Sequence, residues 1–161
     1  MDAFTETYRK KKNAEGIELG ITRIGVHSGN AIVGNFGGDL FFDYTAARLE
    51  GANKFLGTRI CVSENVTEQI PEFTGRPVGR LILKGKTDGL TVYEPQSVDQ
   101  AQSPATNSYR EAFAKLEAGD PGASQAFAAL VGQYGEDPLA TFHLKRLLAG
   151  DKGVEIAFSE K

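Results

Sequence analysis

Tryptophan is absent from this sequence, and cysteine, methionine and histidine are scarce, with one Cys, one Met and two His among 161 residues. The single Cys61 excludes an internal disulfide framework and a cysteine cage for zinc. His27 and His143 stand far apart in the chain, so any metal site would have to rest on carboxylates. No apolar run approaches the roughly 20 residues that a membrane-spanning helix needs. Nor is Met1 followed by a signal-peptide core. Neither sign of charge dominates: 18 Lys and Arg face 21 Asp and Glu, for a net charge of -3. That balance gives no general attraction to nucleic acid or to an anionic membrane. Hydrophobic residues at 40% and charged residues at 24% are ordinary globular values and argue against a disordered chain. Glycine is the abundant residue, 19 of 161 against an average near 7%. So many glycines imply many tight turns, where sites are commonly built.

Along the chain, Phe4 and Tyr8 fall four apart beside Ala3 and ahead of Arg9-Lys10-Lys11-Lys12. This reads as an amphipathic helix with a basic C-terminal turn, closed by Gly16. The stripe has no N-cap before it, which leads to the expectation that the sequence belongs to a longer chain. From Glu18 to Val33 the pattern is that of a hairpin, with Ile21, Ile24, Val26, Ile32 and Val33 around the turn Ser28-Gly29-Asn30. Leu40 to Tyr44 reads as a further strand. Ala46 to Leu56 is helical, with Leu49, Ala52 and Phe55 or Leu56 on one face and Gly57 at the C-terminal cap. Thr58 to Val62 is a short strand, Ser63 caps a short helix to Ile70, and Val78–Leu83 and Leu90–Tyr93 are two further strands. Polar residues from Gln96 to Ser108 read as a linker. Beyond it come three helical stripes: Tyr109, Phe113 and Leu116; Phe127, Leu130, Val131 and Tyr134; and Phe142, Leu144, Leu147 and Leu148. Asp120-Pro121 and Asp137-Pro138 supply cap-and-proline starts, and Val154, Ile156 and Phe158 alternate as a last strand. The expected organisation is a main domain over 1–95, a linker over 96–108 and a helical extension over 109–161. About fifty residues hold a core poorly by themselves, so the extension should pack on the main domain or on a partner.

Four strings occur in order: IGVHSGNAIVGNFG from Ile24 to Gly37, DYTAARLEGANK from Asp43 to Lys54, RPVGRLILKGK from Arg76 to Lys86, and TVYEP from Thr91 to Pro95. Together they resemble the C-terminal half of the catalytic domain of class III nucleotidyl cyclases, the adenylate and guanylate cyclase family, over residues 18–95. The 109–161 segment is similar, more loosely, to the short helical extensions of bacterial cyclases. Two features depart from the family pattern. Thr45 runs directly into Ala46-Ala47-Arg48, where the family places about eight further residues with Gly-Asp and an asparagine. The earlier half of the domain, with its metal-binding aspartates and a base-reading lysine, does not appear before Met1.

The resemblance implies an α/β fold of the ferredoxin-like kind (α+β), with a mostly antiparallel sheet and a helical appendage. It implies a phosphorus–oxygen lyase, an adenylate cyclase of bacterial signal transduction that turns ATP into 3′,5′-cyclic AMP and pyrophosphate. It implies Mg²⁺ or Mn²⁺ held by aspartates outside the matched segment, and a head-to-tail homodimer with the site between subunits. Such domains are often the cytoplasmic output of a membrane-anchored sensor. Residue by residue, Arg48 occupies the transition-state arginine position, Lys84 that of the lysine on the triphosphate, and Thr45 that of the purine reader. A threonine hydroxyl can donate or accept, so Thr45 by itself separates ATP from GTP poorly. The plainer readings stay open: Arg48 as a surface arginine pairing with Glu50 or Asp43, Lys84 as a solvated strand-end lysine, and Thr45 as a strand threonine satisfied by backbone. Asp43 reads as structural. Gly34-Asn35-Phe36-Gly37-Gly38 lacks the lysine and helix of a phosphate loop and reads as a turn. His27 reads as a packed, hydrogen-bonded histidine, His143 as solvent-facing, and Cys61 as a small buried hydrophobe. A ferredoxin-like RNA-binding module is excluded by the acidic balance and the lack of paired strand aromatics. The alternative from another class is a catalytically inactive, cyclase-like regulatory or interaction module that lacks metal ligands.

Overall fold

The computed structural model describes residues 2–29, 45–83 and 89–158. Helix α1 (Asp2–Ala14) carries the basic last turn read from the sequence, Lys11 and Lys12, and ends before Gly16 at φ +81°. Its Phe4 and Tyr8 stack on each other in solvent, 73% and 48% exposed. Glu6 joins the helix to the rest of the fold through Arg59, at 3.3 Å.

Strand β1 (Ile24–Val26) is the described part of the expected hairpin; Asn30 to Tyr44, with Ile32, Val33, Asp43 and the glycine-rich turn, lie outside the described residues. Helix α2 (Thr45–Leu56) lies directly on β1. A Cβ on Gly25 would overlap the Ala46 carbonyl oxygen and the Glu50 amide nitrogen, so only glycine allows this approach. The buried Asn53 clips the two together. Its amide donates to the carbonyls of Ile24 at 3.1 Å and Leu49 at 2.9 Å, and its oxygen accepts from Thr58 Oγ1 at 2.7 Å. Gly57, at φ +74°, closes α2 as the cap expected from sequence. Strand β2 (Ile60–Ser63) follows, then the short α3 (Glu64–Thr67). Ser63 stands at the N-cap of α3 but makes no capping bond with its side chain; its Oγ lies 3.0 Å from His27 Nδ1 instead. His27 is thus a packed, bonded residue, as expected. Cys61 is fully buried, and burial pushes its thiol up to about 12.

Strands β3 (Gly75–Ile82) and β4 (Leu90–Pro95) pair antiparallel around an irregularity between Pro77 and Gly79. The polar stretch expected to be a linker is folded. Its serines serve as caps: Ser97 and Gln100 form a capping box for α4 (Val98–Ala101), and Ser103 accepts from the Thr106 amide to start α5 (Pro104–Glu117). Helix α6 (Ala123–Tyr134) begins later than Asp120-Pro121 suggests, because Asp120 Oδ1 accepts locally from the Gly122 amide at 2.7 Å. Helix α7 (Pro138–Leu148) does start on its expected cap, Asp137, which accepts from the Leu139 and Ala140 amides at 3.0 and 3.1 Å. Strand β5 (Glu155–Ala157) ends the described chain.

The five strands run in the order β1-β2-β4-β3-β5. The α+β class holds, but the sheet is mixed rather than mostly antiparallel, because both outer pairs, β1 with β2 and β3 with β5, are parallel. Each of those pairs is joined through helices, as parallel pairing requires. The extension packs on the domain that precedes it. Tyr109, Phe113, Leu116, Phe127, Leu130 and Leu139 belong to one apolar cluster with Leu49, Leu56, Val78, Leu81 and Val92. Burying each such side chain contributes about 1.5–3 kcal/mol, so the two parts of the chain share one core. At the seam, Arg76 binds Glu94 at 2.7 Å and forks onto Asp137. It also lies 4.5 Å above the Tyr109 ring, whose hydroxyl donates to the Pro77 carbonyl at 2.8 Å. Burial works against the charge of Arg76, but the two carboxylates outweigh it and raise its pKa. His143 is a correction: it is fully buried rather than solvent-facing, because a spacing of four from Leu139 puts it on the inner face of α7. Among the described residues no helix is long and apolar enough to cross a membrane.

Candidate functional site

Helix α2 divides its residues between two faces. Thr45, Leu49, Ala52, Asn53 and Leu56 are buried against the sheet, while Ala47, Arg48, Gly51 and Phe55 are exposed. Thr45 and Arg48 therefore stand three residues apart with different surroundings. Thr45 is the first helical residue and only 1% exposed, where the plainer reading expected a strand threonine. Arg48 points outward, and no ion pair or hydrogen bond holds it among the described residues, neither with Glu50 nor with another group. Lys84 lies outside the described residues.

The outward face of α2 is one wall of a cleft of about 890 Å³. The opposite wall comes from α7 and β5, and Leu83, the neighbour of Lys84, also lines it. Much of the lining is apolar. Phe55, 62% exposed, meets Phe158 with ring centroids 5.6 Å apart, and Phe142 lies under the Arg146 guanidinium at 5.9 Å. The cations in the cleft differ in their freedom. Arg146 ties α7 to β5: it donates to the Glu155 carbonyl at 2.6 Å and sits 3.6 Å from the Asp151 carboxylate. Burial lowers its pKa, and Asp151 opposes that shift. Arg48 and Lys152 are exposed and have no ion-pair partner among the described residues. Both can therefore bind an incoming anion.

Divalent metal is a different matter. Among the described residues no three His, Cys, Asp or Glu side chains cluster as a metal site. The resemblance puts the ligands of Mg²⁺ or Mn²⁺ outside the matched segment, and the cations that line the cleft are Arg48, Arg146 and Lys152.

Of the three residues singled out by sequence, only Arg48 is seen in the cleft. Phe55, Phe158, Arg146 and Lys152 were not anticipated there. Their one sequence signal is the placement of an outward-facing Phe55 beside a helix position, since the parallel pairing that brings β5 to β3 leaves no local pattern.

The chain is 34% identical over 105 residues to "Adenylate cyclase 1" of Rhizobium meliloti (strain 1021), a stretch covering 60% of this chain and 16% of that protein. The chain thus spans a small part of the length of this relative. No family model matches the chain, and no solved structure matches it significantly. The likeness points to a cyclase-related domain.

Proposed function

We propose that residues 18–95 form the arginine-bearing half of an adenylate cyclase catalytic domain. The observation that carries this reading is Arg48: an exposed guanidinium without a partner among the described residues, on the outward face of α2 and lining a cleft, in a chain similar over part of its length to an adenylate cyclase. In the reaction the ribose 3′-oxygen of ATP bonds to the α-phosphorus and loses its proton. The bond from that phosphorus to the bridging oxygen breaks, and pyrophosphate leaves. Such chemistry depends mainly on positioning and on relief of developing charge. A planar guanidinium with fixed donors suits the equatorial oxygens of the α-phosphate. By its motif Lys84 takes the triphosphate and Thr45 the purine edge. Since Thr45 is closed off inside the fold, base reading by it requires the first turn of α2 to open when a second subunit docks head to tail. The resemblance places the carboxylates that would hold Mg²⁺ or Mn²⁺ outside the matched segment, residues 18–95. The cytoplasmic face of a membrane is where such a domain would work.

The test is cyclic AMP formation from Mn²⁺-ATP by the full-length protein. Arg48→Ala should lower kcat about 100-fold or more, by analogy with loss of one oxyanion donor. Its melting temperature should not move, because the side chain is exposed. Equal turnover by both proteins would overturn the assignment. The second reading is a non-catalytic, cyclase-like regulatory or interaction module. It predicts no cyclic AMP from either protein.

A further inference from the structure

We infer that the cleft between α2 and the extension binds a small organic anion with an apolar body, such as a medium-chain carboxylate, and that this occupant holds Arg48 away from the substrate. The binding site stands on the cleft itself; only the effect on turnover rests on the cyclase reading. At about 890 Å³ the cleft falls in the range of small-molecule sites, roughly 300–1,000 Å³. It is built jointly by α2, by Leu83 and by α7 and β5, so neither part of the chain makes it alone. The wall opposite α2 is fixed by Arg146, which donates to the carbonyls of Gly153 at 3.5 Å and Glu155 at 2.6 Å.

Helix α2 leaves this space open at a cost to its own stability. Gly51 lies inside the helix, and a Cβ built on it would meet nothing within 4 Å beyond the helix backbone. Packing therefore does not require glycine there, although glycine in a helix interior is destabilising relative to alanine. What the missing side chain leaves free is the cleft, which Gly51 lines together with Arg48 and Phe55. Spacings of three and four put these residues on one face of α2, with Arg48 and Phe55 about 10 Å apart along the helix axis. Phe55 keeps 62% of its surface exposed although it already meets Phe158 at 5.6 Å, and Phe142 and Ile156 add to the apolar lining across from it. Arg48 and Lys152 are exposed cations without an ion-pair partner among the described residues. The two carboxylates of the cleft each stand near another cation, Asp151 3.6 Å from Arg146 and Glu155 3.8 Å from Arg80. An apolar lining with two unpaired cations selects a ligand that has both an apolar body and a negative charge. An anion in the cleft pairs with Arg48, and that one guanidinium cannot at the same time meet an α-phosphate in a site between subunits. Occupancy of the cleft thus lowers turnover.

The experiment uses the full-length protein and the fluorescent aromatic anion anilinonaphthalene sulfonate as probe. Decanoate (kept below micelle formation), decanol and inorganic phosphate serve as competitors. Decanoate should displace the probe; decanol should compete about tenfold less well, for want of a charge-assisted contact, and phosphate not at all. Lys152→Ala should weaken decanoate about tenfold and leave decanol unaffected. Gly51→Leu fills the cleft from a helix position that accepts a side chain, so probe and decanoate should both weaken about tenfold or more while the melting temperature does not fall. In the cyclase assay saturating decanoate should lower kcat for Mn²⁺-ATP with little change in KM, because the arginine it withdraws acts on the transition state. Lys152→Ala should keep the basal rate and need about tenfold more decanoate for the same inhibition. Affinities unchanged by both substitutions, decanol as strong as decanoate, or no binding by the unaltered protein overturns the inference. Turnover that needs Arg48 but ignores saturating decanoate also overturns it while leaving the cyclase reading intact. Decanoate binding that both substitutions weaken, with no cyclic AMP from any protein, supports the binding site and removes the cyclase reading.

Discussion

His143 makes the fold sensitive to acid. The ring is fully buried and packed among Tyr109, Phe113, Phe127 and Phe142, with centroid distances of 5.3 to 6.3 Å. Among the described residues neither ring nitrogen has a hydrogen-bond partner of ordinary geometry. Burial comes first in lowering its pKa to about 3, the charge of Arg146 adds to it, and Arg76 contributes further. The Val78 backbone and, after it, Asp137 pull the other way without cancelling the shift. The unfolded chain, with a histidine near pH 6.5, therefore binds the proton that the folded chain refuses. Stability rises with pH between about 3 and 6.5 and is lost as pH falls through that window. From pH 7.5 to pH 5 the loss is about 2 kcal/mol, at 1.36 kcal/mol per pH unit over about 1.5 units. For a chain of this size that lowers the melting temperature by about 6 °C. The native pairing of Asp137, whose pKa Arg76 lowers against the effect of burial, is lost only at lower pH and does not confuse the reading. Scanning calorimetry at pH 7.5, 6.5, 5.5 and 5.0 measures the slope, and His143→Leu supplies the control. The leucine removes an orphaned ring N–H, whose burial costs about 1–3 kcal/mol, and gives up the contacts among the rings. Stability at pH 7.5 should stay within about 1 kcal/mol, since these effects oppose each other. The difference in slope between the two proteins isolates His143 from every other titrating group. Equal slopes would refute the reasoning. So would a large loss on substitution at pH 7.5, which would mean that the ring nitrogen is bonded after all.

Two further perturbations test the packing that builds the cleft. Arg76→Met leaves the Glu94 and Asp137 carboxylates without their cation at a seam where the arginine side chain is only 10% exposed; denaturant unfolding should show a loss of about 3 kcal/mol, near the low end for a broken buried pair because both carboxylates reach some solvent. Gly25→Ala forces a Cβ into backbone atoms of Ala46 and Glu50. No side chain can swing away there, so α2 must lift off β1, and a stability loss of about 2 kcal/mol or more is expected. An unchanged unfolding midpoint would show that α2 does not lie directly on β1.

The features legible in the sequence are those whose cause is local. Gly57 ends α2 because only a left-handed residue continues the chain there, and Asp137-Pro138 starts α7 because an acceptor and a fixed φ suit a first turn. Cap chemistry also contains the error at 96–108. Serine, glutamine and proline occur both in linkers and at helix starts, and only the apolar residues packed beneath, Ala101 and Tyr109, separate the two cases. His143 was legible by position and illegible by type. It stands four residues from both Leu139 and Leu147, so periodicity places it in the stripe, while its polarity argues for solvent. Four surrounding rings decide in favour of burial.

The cleft shows where this kind of reading ends. Arg48 is visible from sequence because a motif marks it, but its place on an outward helix face depends on Gly25 and Asn53 holding α2 against β1. Lys152 and Phe158 belong to no motif. They reach the same cleft because β5 pairs with β3 after a connection of four helices, and Arg146 then fixes the turn before β5 to the end of α7. Nothing within ten residues of Lys152 specifies that pairing; the alternation of Val154, Ile156 and Phe158 says only that a strand forms, not beside which neighbour. A resemblance confined to residues 18–95 therefore describes at most one side of the cleft. The other side comes from the extension, whose apolar stripes are continuous with the core of the domain, so removing it would open the core and the cleft together.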